Sequence, residues 1–250
     1  MDAILLLSVL AEIERTLVGG LVRGVDAAGP HGLWLDLVTS QGPESLLLTA
    51  ETALPRMARG APRPPKTRPL PPLAGAARQR LPGTRLAEVA HGGLDRVVRL
   101  HFEPAVAAGS GTAAGAGPGA RLILEAFGSR PNLILTDAES TILEAARPTS
   151  GSARPCLPGA PYVPPQPSRL PDPRLLGSVE AVTAVLESSL RTGLAPERAL
   201  RQGFAGLGDL WASEVVARSG SASPASLART LTALLGEIAV RPPQPHLVVD

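Results

Sequence analysis

The sequence is short of three kinds of residue, and each shortage excludes something. It has one cysteine, Cys156. A lone thiol closes no internal disulfide, so a disulfide-stapled secreted scaffold is excluded and a reducing compartment is implied. Aromatic rings number six in 250 residues: Trp34, Phe102, Phe127, Tyr162, Phe204 and Trp211. That supply offers no evident stacking platform for single-stranded nucleic acid. Of 24 basic residues only Lys66 is a lysine. Arg, Ala, Gly and Pro rise together in GC-rich coding DNA, so the arginine bias is first a genome signature. Long apolar runs are missing too. Residues 3–10 are too short to span a bilayer. Asp2 precedes them where a signal peptide carries basic residues, and Glu12 and Glu14 follow. The expectation is a cytoplasmic protein with no membrane partner.

What is present is globular. Hydrophobic residues make up 44% and charged residues 18%, enough for a core in one large domain or two ordinary ones. The net charge of +2 does not argue for nucleic acid, but its distribution is uneven. From Thr52 to Ala87 there is no acid, against Arg56, Arg59, Arg63, Lys66, Arg68, Arg78, Arg80 and Arg85. Such a block makes a local positive field that attracts phosphate. A solvated basic loop is an equally good reading.

Apolar spacing at Ile4, Leu7, Leu10, Ile13 and Leu17 predicts a helix over 3–18, with Asp2 as its cap and Gly19-Gly20 as its stop. Strands follow at 21–25, 33–38 and 46–49, separated by turns at Ala28-Gly29-Pro30 and Gln41-Gly42-Pro43. The Pro- and Arg-rich stretch 55–72 reads as an irregular loop, and 73–80 as a short helix. Strands are predicted near 84–90 and 94–102, joined at His91-Gly92-Gly93, then over 121–127, 132–136 and 140–145. Residues 104–119, almost all Gly, Ala, Ser and Pro, read as a flexible excursion. Prolines crowd 148–176, which reads as a linker, and four helical stretches follow: 179–190, 196–202, 210–218 and 224–240. This order predicts an α+β fold: an antiparallel-sheet domain over 1–170, then an all-α domain over 171–250.

The most specific local signal is Gly206-Leu207-Gly208, followed at fixed spacing by Ala212 and Val215. This is the pattern of a helix-hairpin-helix. Gly206 permits a positive φ, and Gly208 lets the backbone approach a phosphate at a helix N-terminus. Asp209 in that first turn opposes phosphate, and a plain helical corner closed by a glycine cap is the bland alternative. The Asp95-Arg96 pair, taken alone, is an ordinary strand-edge ion pair.

Catalytic patterns are absent. His31, His91, His101 and His246 lack metal-ligand spacing with each other or with Cys156. Neither a Walker A motif nor a Gly-x-Ser-x-Gly elbow occurs. Gly109-Ser110-Gly111-Thr112 imitates a dinucleotide loop but lies inside the Gly/Ala tract. No cofactor and no small-molecule substrate are predicted, and Cys156 has no electropositive helical setting to activate it.

Taken together, four stretches resemble one family. They are Gly93-Leu94-Asp95-Arg96-Val97-Val98; Leu122-Ile123-Leu124-Glu125; Gly128 through Asn132-Leu133-Ile134-Leu135-Thr136-Asp137; and Leu157-Pro158-Gly159-Ala160-Pro161-Tyr162-Val163-Pro164-Pro165. In that order they resemble the NFACT family of ribosome quality-control factors. The resemblance implies an N-terminal domain like that of formamidopyrimidine-DNA glycosylases, followed by a helix-hairpin-helix domain. The glycosylase's Pro-Glu nucleophile is missing, since Asp2 and Ala3 follow Met1. It implies binding to the large ribosomal subunit carrying peptidyl-tRNA, with recruitment of tRNA (alanyl-tRNA in bacteria) for untemplated C-terminal tailing. It implies no bond-making centre. Asp95 and Arg96 match the family's Asp-Arg pair, which is tied to tRNA recruitment. Where the family has Gly-Arg-His-Ser-Asn, this chain has Gly128-Ser129-Arg130-Pro131-Asn132, so Arg130 stands in for part of a broken Arg-His pair beside Asn132. Gly206, Gly208, Arg78 and Arg80 are the expected nucleic-acid backbone contacts. The family's coiled coil and C-terminal RNA-binding domain have no counterpart in these 250 residues. The rival readings are a glycosylase-like DNA-binding protein without its catalytic residues, and a surface adhesin for fibronectin.

Overall fold

A computed structural model describes residues 3–105, 119–151 and 153–240. The chain is α+β. Helix α1 (Ala3–Leu17) leads into strands β1 (Leu21–Ala27), β2 (Gly32–Thr39), β3 (Gly42–Thr49) and β4 (Arg56–Arg59). Helix α2 (Pro72–Arg80) precedes β5 (Thr84–His91), β6 (Val97–Pro104), β7 (Ala120–Glu125), β8 (Asn132–Asp137) and β9 (Ile142–Ala145). Helices α3 (Val179–Leu190), α4 (Pro196–Gly203), α5 (Asp209–Ser219) and α6 (Pro224–Val240) complete it. The strands form one sheet in the order β4-β3-β2-β1-β5-β6-β7-β8-β9, antiparallel at every pairing.

Alternation along the strands sorts side chains onto two faces. Leu33, Leu35 and Leu37 of β2, Leu46 and Leu48 of β3, and Leu122, Leu124, Leu133 and Leu135 of β7 and β8 share one buried cluster. Ile13 and Leu17 of α1 and Leu73 and Ala77 of α2 fill the same cluster. Strands from both halves of the sheet meet there because the sheet curls. Arg147, just after β9, donates from Nη2 to the Ala50 carbonyl beside β3 at 3.0 Å. The opposite face of β7–β9 carries Ile123, Ile134 and Ile142, which pack with Val97 and Cys156. A third cluster belongs to the helices α3–α6, and it also takes in Ala3 and Ile4 of α1 and Leu94 of the β5–β6 connection.

Several sequence expectations change. The strand predicted over 94–102 begins only at Val97, so Leu94, Asp95 and Arg96 stand in the connection and not in a ladder. Gly42 and Pro43 are the start of β3, pairing with Thr39 and Val38; the turn is tighter than the Gly-Pro signal suggests. Residues 56–59, expected to be irregular, form an edge strand on β3. The Pro-rich stretch 148–176 is not a bare linker. It pairs Thr149 with Cys156 and Thr141 with Pro161, and lays Tyr162 and Cys156 on the outer face of the sheet. The predicted Asp2 cap, most of the 104–119 excursion and His246 lie outside the described residues.

The acid-free block also looks different in space. Arg59 is paired with Glu44 and Glu12, and Arg63 and Arg78 are both paired with Asp26. Arg85 donates to the Gly19 carbonyl. Half of the eight cations therefore have acceptors supplied from outside the block.

Candidate functional site

The five residues from Gly92 to Arg96 connect β5 to β6. The Asp95 amide donates to the Gly92 carbonyl at 3.1 Å, closing a tight turn with Gly93 at φ +64°. Leu94 leaves this turn and inserts among the helices, only 6% exposed, in the cluster that holds Phe204 and Leu207. Its counterpart is the α4–α5 turn, Phe204–Gly208, where Gly206 adopts φ +74°. A β-carbon on Gly206 would meet the Leu94 Cβ at 2.7 Å, so glycine serves here both for its conformation and for close approach. The sequence reading gave Gly206 the positive φ, which it has, and Gly208 the approach to phosphate; the close approach at Gly206 is made by a leucine of the same chain.

Because Leu94 is buried there, the next two residues are held at the rim of a cleft. Asp95, Arg96, Gly206 and Gly208 line one cavity of about 380 Å³, with Phe127 and Leu170 among its apolar walls. Asp95 and Arg96 do not pair with each other: Asp95 Oδ1 accepts from the Ser168 amide at 3.3 Å. The Arg96 carbonyl accepts from the Ala126 amide at 2.8 Å, which fixes its backbone to the end of β7. Among the described residues its guanidinium has no ion-pair partner. The ordinary strand-edge ion pair is thus replaced by a cation facing an open cleft.

Gly208 stands at the N-cap of α5 with extended backbone and no side-chain cap. Asp209, the residue expected to repel phosphate, is ion-paired with Arg201, and Arg201 lines the same cleft. The helix terminus therefore faces a local balance of charge.

Phe127 also walls a neighbouring cavity of about 350 Å³ that includes Arg130 and Asn132. Arg130 is exposed at its edge. Asn132 is only 7% exposed, and its amide is committed to the fold. Its Oδ1 accepts from the Leu133 and Arg147 amides at 3.0 and 2.9 Å, and its Nδ2 donates to the Arg147 carbonyl at 2.9 Å. Sequence reasoning missed Glu125 in this cavity. It is 8% exposed and accepts from Tyr162 Oη at 2.9 Å and Arg154 Nη2 at 2.5 Å. Burial, then the Glu125 charge, raises the Tyr162 phenol well above its ordinary value. The same two causes push the Cys156 thiol up to about 11, which keeps it protonated at neutral pH. The Leu-Glu-x-Phe-Gly stretch followed by a distant Tyr was the available signal.

Arg78 and Arg80 lie elsewhere, on α2. Arg78 donates from Nε to the Val25 carbonyl at 2.8 Å and pairs with Asp26 at 2.7 Å, tying α2 to β1. Arg80 is half-buried at the end of the helix.

A family model described as NFACT N-terminal and middle domains matches residues 2–246. The chain belongs to the NFACT family. It is 25% identical over 232 residues to the Rqc2 homolog RqcH of Bacillus subtilis (strain 168), covering 91% of this chain and 39% of that protein. This NFACT chain thus spans about two fifths of the length of that curated relative. Two solved structures share the fold. The N-terminal part of the fibronectin/fibrinogen-binding protein of Streptococcus suis matches with TM-score 0.74 at 23% identity, over 93% of this chain and 84% of that one. The fibrinogen-binding protein of Staphylococcus aureus matches with TM-score 0.75 at 19% identity, over 94% and 81%. At those identities the likeness carries the fold and nothing about what those proteins bind. Among the described residues no helix is long and apolar enough to cross a membrane.

Proposed function

We propose that this chain is the RNA-binding part of a ribosome quality-control factor of RqcH type. In this reading the whole factor engages the large ribosomal subunit with peptidyl-tRNA and recruits tRNA, alanyl-tRNA in the family, for untemplated tailing of the stalled chain. The chain itself makes no bonds; it holds RNA. Residues 1–170 act as the tRNA- and ribosome-binding domain, akin to the N-terminal fold of formamidopyrimidine-DNA glycosylases, and residues 171–250 as a helix-hairpin-helix domain.

The observation that carries the reading is the meeting of Asp95-Arg96 with the Gly206–Gly208 turn in one cleft. Those motifs lie more than a hundred residues apart in sequence. The division of labour follows from charge. Arg96, with a planar fork of donors and no acid partner among the described residues, suits a phosphate or a base edge. Asp95 only accepts hydrogen bonds, so it faces a donor, such as the amino group of a base, and not a phosphate. Amides at the start of α5 suit a phosphate, with Arg201 holding Asp209 aside. Arg130, at the edge of the adjoining cavity, extends the cationic rim. Asn132 contributes by holding the β8 edge, and Arg78 and Arg80 lie apart from this cleft.

Equilibrium binding of unacylated tRNA, measured at a low and a moderate salt concentration, tests the reading. Phosphate-led binding weakens steeply with salt, by about 0.7–0.9 in log–log slope for each phosphate contact. Binding that is absent at low salt, or indifferent to salt, rejects it.

A further inference from the structure

A second cationic cavity, separate from the cleft, opens where the Pro-rich loop after β4 passes over the end of β1. It measures about 980 Å³ and is lined, among the described residues, by Arg63, Lys66, Arg68, Arg78 and a single carboxylate, Asp26. Two of the cations, Arg63 and Arg78, hold that carboxylate between them at 2.6 and 2.7 Å. Arg63 is further fixed over the Trp34 ring, 5.2 Å from its centroid. Lys66 and Arg68 are exposed and have no acid partner among the described residues. Four positive charges against one negative leave a surplus of three in one concavity. Pro64, Pro65 and Pro69 restrict the loop backbone that presents them, which lowers the entropy lost when a ligand orders it. A rigid, concave, cationic surface focuses a field that favours closely spaced phosphates.

Strand register sets the distance to the cleft. Leu21 of β1 is opposite Arg85 of β5. From that pair β1 runs one way to Ala27, at the cavity, while β5 runs the other way to His91, next to the cleft. At about 3.3 Å per residue the path from one site to the other, along the two strands that diverge from that pair, is on the order of 40 Å. A mononucleotide reaches one of them; a folded RNA reaches both.

We infer that the cavity lined by Arg63, Lys66, Arg68 and Arg78 is a second phosphate-binding site, which holds the sugar–phosphate backbone of the same RNA whose other part occupies the Asp95-Arg96 cleft. The inference rests on the RNA-binding reading above and adds a site and a geometry to it. The recognition is of backbone charge, with no base readout, and Asp26 sets its strength by neutralising part of the cluster.

The test compares tRNA binding by the full chain and three variants across a salt series. Lys66→Ala with Arg68→Ala, both at exposed positions, is expected to weaken tRNA binding about tenfold near 0.1 M salt and to lower the log–log salt slope by about 1.5. Asp26→Asn is expected to strengthen binding two- to fivefold, opposite to what a purely structural aspartate predicts. Arg96→Ala reports on the cleft alone. If the Lys66/Arg68 variant binds with unchanged affinity and slope while Arg96→Ala weakens binding, the second site is wrong and the cleft reading stands. If the unaltered chain binds no tRNA at low salt, both fall. Inorganic triphosphate separates the sources of phosphate. Tight triphosphate binding that the Lys66/Arg68 variant loses, with an unchanged tRNA slope, makes this a small-polyanion site and overturns the assignment to RNA.

Discussion

Gly206 and Leu94 touch so closely that no other residue fits at the glycine. A β-carbon there would lie 2.7 Å from the Leu94 Cβ, and the backbone sits at φ +74°. This contact joins the β5–β6 connection to the α4–α5 turn and sets where Asp95 and Arg96 stand. Gly206→Ala is therefore expected to lower stability by roughly 2–4 kcal/mol, combining left-handed strain with overpacking. Denaturant unfolding checks this. A loss within about 0.5 kcal/mol, the range of a neutral surface change, contradicts the contact.

Asn132 separates a structural from a functional role. Its amide satisfies the buried Leu133 amide and the half-buried Arg147 amide and carbonyl. Asn132→Ala leaves those groups without partners and is expected to cost about 2–3 kcal/mol of stability. A variant of unchanged stability with weakened tRNA binding reverses the assignment, making Asn132 an RNA contact.

His101 gives the fold a pH dependence. Its Nε2 is buried without a hydrogen-bond partner among the described residues. Burial is the largest influence and lowers its pKa; Glu88, 3.6 Å away, opposes this, and the Arg121 and Arg99 charges add to it. A histidine with a depressed folded pKa binds a proton more readily when unfolded. Its contribution is therefore fully present above the unfolded value near 6.5 and is lost as pH falls through the lower folded value. Unfolding free energies measured from pH 7.5 down to about 5 are expected to decline, and to decline less in His101→Gln. Parallel curves for the two proteins contradict the assignment.

The α+β order, the opening helix, most strands and all four later helices were legible because apolar periodicity and turn residues are local signals. What was not legible depended on partners distant in sequence. The stretch from Thr52 to Ala87 contains no acid, yet Glu12, Asp26 and Glu44 fold back onto it and neutralise Arg59, Arg63 and Arg78. Leu94 reads as the first residue of a strand because it is apolar and precedes Val97-Val98; its partner is a glycine turn more than a hundred residues later. The Pro-rich segment has no periodicity, because single contacts such as Tyr162 to Glu125 hold it to the sheet. The Asp95-Arg96 pair and the Gly-Leu-Gly turn were both visible as motifs. That they line one cleft required the fold.

In the proposed function Arg96, held at this cleft, is a shaped contact to RNA. The most direct measurement is tRNA affinity at one moderate salt concentration for the unaltered chain, Arg96→Lys and Arg96→Ala. A guanidinium fork is not replaced by an ammonium of equal charge. Both variants are therefore expected to lose about tenfold or more, the scale of one charge-assisted hydrogen-bonding group. Unfolding curves matching the unaltered chain exclude a folding defect. Full affinity in Arg96→Ala would contradict the account.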